Sequence, residues 1–94
     1  MLYLVRMDVH PPAHLPVEEF EAIKAAEKAY SLELQRAGTW VHLWRVVGEY
    51  SNYSVFDVAS NDELHQVLSA LPLFAHMEVS VTPLATHPSD LAVN

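Results

Sequence analysis

The sequence has no cysteine, only two glycines, and five lysines and arginines against twelve aspartates and glutamates. Each shortage closes off a class of chemistry. Without cysteine there is neither a disulfide framework nor a thiolate nucleophile. Two glycines cannot build the glycine-rich loops that cradle phosphates, which sets aside nucleotide and dinucleotide binding of the usual kinds. A formal net charge of −7 leaves too few cations for a nucleic-acid surface, which neutralises phosphates with clustered lysine and arginine. The acids are dispersed, so they do not form an acidic tail. No apolar run approaches membrane-spanning length. The opening residues, MLYLVRMDVH, carry a charge at Arg6 and alternate like a strand, unlike a signal peptide. A cytoplasmic protein is therefore expected, and 94 residues amount to a single domain over 1–94.

What is present reads as six elements. LYLVRMDV (2–9) alternates as a strand. HPPAHLP (10–16) is a proline-rich turn that cannot extend a ladder. Pro16 suits the first turn of a helix, with Glu18 and Glu19 near its positive end. That helix should run to about Ala37, with Arg36 in its last turn and Gly38 as the stop. TWVHLWRVV and YSNYSVFDV are strand-like runs around Gly48-Glu49, read as a two-residue type II′ hairpin turn. SNDELHQVLSAL opens with Ser60 and has Glu63 three residues later, a capping-box signal. Leu64, Val67, Leu68 and Leu71 form its apolar stripe and Pro72 ends it. HMEVSVTPL (76–84) is the last strand, and 85–94 lacks any period and reads as a C-terminal arm.

The order β-α-β-β-α-β predicts an α+β, ferredoxin-like fold, with a four-stranded antiparallel sheet and both helices on one face. The other face should then meet water, yet the strands are apolar on both sides. Tyr3, Val5, Met7 and Val9 oppose Leu2 and Leu4. In the hairpin, Trp40, Trp44, Val46, Tyr53 and Val55 oppose Val41, Leu43, Val47 and Phe56. One helical layer cannot cover two apolar faces, so a second sheet should cover the open side, as in a dimeric α+β barrel.

One residue in the first helix is out of place. At about 100° per residue, Phe20, Ile23, Tyr30 and Leu34 share a stripe, and Glu27 falls in its middle. Glu27 is either a rim side chain paired with Lys24 or Lys28, or a carboxylate whose pKa is raised by apolar walls so that it can carry a proton. The hairpin register sets Val47 opposite Tyr50, Arg45 opposite Asn52 and Leu43 opposite Ser54. One hairpin face thus has an apolar frame and a polar centre, which suits a small-molecule pocket opposite Glu27. A shift of one residue in the hairpin would instead bring Trp40, His42, Trp44 and Tyr53 to the pocket. Arg45 either pairs with Glu27 or Glu49, or grips a substrate carboxylate with its planar fork. Lys24 either pairs on the surface or helps hold an anion. His42 either packs among the tryptophans or donates to a ligand. The six histidines show no metal-ligand spacing, since His10 and His14 fall in a proline-rich loop.

Residues 34–74 resemble the muconolactone Δ-isomerase family through the string GTW-x-HLWR-x-x-G-x-Y-x-NYSVFDV. The similarity extends to MLYLVRM at the start, K-A-x-EKAY in the first helix and HPS near the end. It departs most in 10–21 and in the last residues. The close variant 5-chloromuconolactone dehalogenase shares this framework. The resemblance implies a cofactor-free, metal-free enzyme of aromatic catabolism (the β-ketoadipate route) that converts muconolactone to 3-oxoadipate enol-lactone, with dimers assembled into a decamer. It implies Glu27 as the proton carrier, with His42, Tyr50 and Ser54 as donors toward the lactone carbonyl. Arg45 and Lys24 would hold the carboxylate of a small anionic lactone. The alternatives are elimination of HCl from the chlorinated lactone, and a non-enzymatic module that binds small acids.

Overall fold

The computed structural model describes all of residues 1–94. Its elements are β1 (Leu2–Val9), α1 (Val17–Arg36), β2 (Trp40–Arg45), β3 (Ser51–Asp57), α2 (Asn61–Ser69) and β4 (Met77–Leu84), with short 3₁₀ turns at Phe74–His76 and Leu91–Val93. The sheet is antiparallel in the order β2-β3-β1-β4. This is the ferredoxin-like arrangement of the α+β class.

Local signals in the sequence explain the helix limits. Pro16 precedes α1 and its carbonyl accepts the Phe20 amide at 3.1 Å. At the other end, Gly38 takes φ +80°. Its N–H donates to the Gln35 carbonyl and the Thr39 N–H to the Leu34 carbonyl, the paired bonds of a Schellman stop. Helix α2 starts at Ser60, whose hydroxyl accepts the Glu63 N–H at 3.1 Å, while the Glu63 carboxylate accepts the Ala59 N–H at 2.7 Å.

The core lies between the sheet and the two helices. Tyr3, Val5 and Met7 of β1 and Phe56 of β3 are almost fully buried, packed against Leu64, Leu68 and Leu71. Each such side chain is worth about 1.5–3 kcal/mol of burial. The opposite sheet face carries Leu2, Trp44, Tyr53 and Leu84, all at least 38% exposed, so this chain leaves an apolar sheet face uncovered.

Two features of the hairpin differ from expectation. The turn is not the two-residue Gly48-Glu49 type. The Val46 carbonyl accepts the Glu49 N–H at 3.2 Å and the Val46 N–H donates to Ser51 at 3.0 Å, so residues 47–50 form the loop. Gly48 stands at its third turn position with φ +80°, which an L side chain resists. Val47 therefore pairs with nothing and is 96% exposed. Two- and four-residue loops preserve the same register, so Arg45 still faces Asn52 and Leu43 still faces Ser54. The second feature is a β-bulge between Trp40 and His42. The extra residue turns Trp40 to the helix side, where it is 3% exposed and its ring lies 4.8 Å from Phe56. Val41 is left outside. Trp40 thus belongs with Leu43 and Phe56, not with Trp44 and Tyr53.

Candidate active site

Helix α1 crosses the helix-side face of the sheet, and between them is a cavity of about 360 Å³. Glu27 reaches into it from α1. Leu43 and Arg45 come from β2, Tyr50 and Asn52 from the hairpin loop and β3, and Leu73 from the connection after α2. The volume is within the range of small-molecule sites.

Glu27 is half-buried. Its Oε1 accepts the Leu73 backbone N–H at 2.9 Å, and none of the chain's four ion pairs involves it. Burial pushes its carboxyl above the ordinary value of 4.5, partly offset by the Leu73 N–H. The rim-pair reading of Glu27 therefore fails. Lys24 lines the cavity, but its Nζ is 3.0 Å from Glu21. That hydrogen bond and the charge of Glu21 raise the Lys24 pKa. Ser31, one turn beyond Glu27, is the one buried residue of α1. It also lines the cavity, and its hydroxyl accepts from Gln35 at 2.8 Å.

Arg45 has no carboxylate partner. Its guanidinium lies over the Tyr50 ring, 5.4 Å from the centroid. Of the two acids that the sequence offers it, Glu27 bonds Leu73 and Glu49 bonds Arg6. The cavity thus holds one carboxylate, Glu27, and two cations, Arg45 and Lys28, that form no ion pair.

Two residues expected at the site are elsewhere. His42 shares the other sheet face with Trp44, their rings stacked at 4.8 Å and 14°, and it does not line the cavity. Ser54 is fully buried under the site. Its hydroxyl donates to Asn52 Oδ1 at 2.7 Å, which occupies the amide oxygen and leaves the Asn52 NH₂ as the donor available to the cavity. Lys24, Glu27, Arg45 and Tyr50 do come together. Asn52, expected on the same hairpin face as Arg45, also lines the cavity, as do Trp40, which the sequence places with Trp44 and Tyr53 because nothing in it marks the bulge, and Leu73, which only tertiary packing brings to Glu27. No three His, Cys, Asp or Glu side chains converge as a metal site would require.

A split-βαβ domain with a carboxylate and a guanidinium, neither in an ion pair, in one cavity falls in the class of small α+β domains with a pocket for a small ligand. The comparisons with known proteins narrow that class. A family profile described as muconolactone delta-isomerase matches residues 1–90. The muconolactone delta-isomerase of Cupriavidus pinatubonensis is 60% identical over 91 residues, covering 97% of this chain and 99% of that protein. Muconolactone delta-isomerase 1 of Acinetobacter lwoffii is 59% identical, covering 97% and 95%. A crystal structure of muconolactone isomerase matches with a TM-score of 0.92 at 47% identity, covering 97% of this chain and 95% of that one. The chain belongs to the muconolactone delta-isomerase family.

Proposed function

We propose that this protein isomerises muconolactone to 3-oxoadipate enol-lactone and that Glu27 carries the proton. The observation behind this reading is the half-buried Glu27, free of any cation and set in a cavity with an unpaired Arg45. Ionised Glu27 removes the proton from the ring carbon that bears the ring oxygen. The electron pair of that C–H bond forms the new ring double bond, and the old double bond's pair moves onto the carbon beside the carbonyl and the carbonyl oxygen. The protonated Glu27 then returns the proton to the carbon next to the carbonyl. Atoms and charge balance, and the carboxylate is regenerated. One carboxylate serves both steps by reaching both carbons from the same face of the ring.

Arg45 binds the substrate carboxylate and fixes the ring over Glu27. Lys24 adds positive potential at the mouth. In a chain of charge −7, an anion needs this local site against the general field. Tyr50 and the Asn52 NH₂ are the cavity's donors toward the lactone carbonyl as charge develops there. Each well-placed donor is worth about 3 kcal/mol. Ser54 acts beneath them by orienting Asn52.

The test is an ultraviolet assay of purified protein with muconolactone, run in parallel with the 5-chloro analogue and with chelator added. Isomerisation of the plain lactone, undiminished by chelator, supports the reading. Chloride release from the analogue without turnover of the plain lactone overturns it in favour of a dehalogenase. The names of the relatives favour the plain lactone. The uncovered sheet face further supports assembly of this chain with copies of itself, as dimers and then the decamer that the family resemblance implies. No helix is long and apolar enough to cross a membrane, and a cytoplasmic location fits a catabolic enzyme of this kind.

A further inference from the structure

Arg6 stands on the sheet face opposite the cavity, yet its contacts bear on the cavity's mouth. Its guanidinium is fully engaged. Nε donates to both Asp8 oxygens at 3.2 and 3.3 Å, one terminal nitrogen donates to the Tyr53 hydroxyl at 3.2 Å, and the other is 3.0 Å from Glu49 Oε1. Its carbon also sits 5.1 Å from the Tyr53 ring centroid. Ser51 donates to the same Asp8 at 2.5 Å, so the network ties β1 to the hairpin loop at Glu49 and to the start of β3.

Glu49 is the member that matters for the site. A shallow depression at the mouth of the cavity is lined by Lys24, Arg45, Gly48, Glu49 and Tyr50. Glu49 is thus a residue of that mouth, on the loop that also carries Tyr50, with its carboxylate drawn to Arg6. Left free, it is a tethered competitor for Arg45, at an effective concentration in the millimolar range typical of short flexible links. Arg6 is the only cation with which Glu49 forms an ion pair. Arg45, correspondingly, meets only the face of Tyr50.

We infer that Arg6 is a positioning residue for the anion site: it holds the Glu49 carboxylate on the far side of the hairpin loop, so that Arg45 stays open to the substrate carboxylate. This rests on the proposed binding of an anionic lactone. A partly exposed ion pair is worth up to about 1 kcal/mol, which as competition amounts to about a fivefold loss of affinity.

The experiment is a double-mutant cycle on Arg6→Met and Glu49→Gln. Steady-state kinetics are measured in the wild-type background. Dissociation constants for muconolactone are measured by calorimetry in the Glu27→Gln background, where no turnover interferes. Arg6→Met is expected to raise KM and Kd about three- to fivefold and to leave kcat within twofold. Adding Glu49→Gln should return both constants to within twofold of the parent, although the loop has then lost its ion pair. The neutral methyl ester of the lactone should show no Arg6 effect on binding. A purely structural role for Arg6 predicts that the double variant stays as impaired as Arg6→Met, and that result would overturn the inference, as would an unchanged Kd in Arg6→Met. Arg6→Gln, which keeps a hydrogen bond to Asp8, takes its place should Arg6→Met fail to fold. Wild-type turnover judges the activity and the calorimetric cycle judges the latch, so one can fail without the other.

Discussion

Glu27→Gln separates chemistry from folding at a single side chain. The substitution keeps the shape of the residue and an oxygen that can still accept the Leu73 N–H, now 2.9 Å from Oε1. It removes a charge that burial disfavours, so folding should not suffer; a change within about 0.5 kcal/mol is expected, as for substitutions that break no contact. Turnover should collapse. General acid–base catalysis by one side chain contributes about 10²–10⁴-fold, or about 2.7–5.4 kcal/mol at 1.36 kcal/mol per decade. Here the same group must both take and return the proton, which places the expected loss of kcat near 10³-fold, with KM nearly unchanged because Arg45 and the apolar walls are intact. The assay is ultraviolet-monitored turnover of muconolactone beside thermal melting of the same preparation. A variant that melts like the parent and retains kcat within threefold would falsify the assignment of Glu27 as the proton carrier.

The raised pKa of Glu27 gives the same residue a pH signature. Between the ordinary value of 4.5 and the raised folded value, the folded chain holds a proton that the unfolded chain has released. Stability therefore falls as pH rises through that window and is regained on acidification. Activity requires the ionised carboxylate, so kcat/KM moves the opposite way and is lost on acidification. Asp8 operates lower and with the other sign. Its carboxyl is held below 3.8, first by the Ser51 hydroxyl and then by Arg6, so its contribution is present above 3.8 and lost as pH falls toward the lowered value. Melting and kcat/KM measured across pH should thus diverge in wild type just above 4.5, and Glu27→Gln should abolish that divergence. Parallel loss of both on acidification through this window would contradict the assignment.

The remaining expectations are simpler. Arg45→Met removes a charge-assisted bond to the substrate worth about 1.5–3 kcal/mol, so KM for the lactone should rise about 10–100-fold in steady-state kinetics, with a smaller change in kcat. Gly48→Ala meets no atom within 4 Å but forces φ +80° on a side chain; it should cost about 1–2 kcal/mol and lower Tm by several degrees. Trp44→Glu places a charge on the uncovered sheet face, where Trp44 is 54% exposed. If that face joins copies of the chain, sedimentation should show smaller assemblies than wild type, and an unchanged assembly would place the interface elsewhere.

Much of this architecture was legible because its signals are local. Gly38 after Arg36, Ser60 before Glu63 and the alternation of β1 each specify one element without reference to the rest. The bulge at Val41 was not legible, because Trp40, Val41 and His42 carry no glycine or proline to mark an extra residue and each fits either face of a strand. The turn was misplaced by one residue for a related reason. Gly48 announces a positive φ, but a two-residue and a four-residue loop share one register, and only backbone bonds separate them. Within the site, Glu27 stood out because a carboxylate on an apolar stripe violates the helix's own pattern. Asn52 and Ser54 did not resolve into donor and support, since which of them meets the cavity depends on their mutual hydrogen bond. The Leu73 N–H reaches Glu27 across 46 positions of chain, and no spacing rule finds such a contact.

Charge pairing around the cavity argues that the two open groups are kept open. The chain has cations within its own helix to neutralise Glu27, since Lys24 and Lys28 lie one turn or less away, and it has Glu49 on the same rim as Arg45. Either pairing would stabilise the isolated fold. Instead Lys24 is given to Glu21 and Glu49 to Arg6, while Glu27 takes a neutral backbone donor and Arg45 an aromatic face. Pairing that is met at Lys24 and Glu49 and left unmet at Glu27 and Arg45, in one cavity, marks a functional site rather than a packing accident. In the proposed reaction a small lactone acid meets both groups at once, its carboxylate at Arg45 and its acidic ring C–H at Glu27, and a ligand lacking either feature would leave one of them unpaired. Affinity should therefore depend on the carboxylate and turnover on the ring proton, so that a saturated lactone acid of the same size competes with muconolactone without being converted.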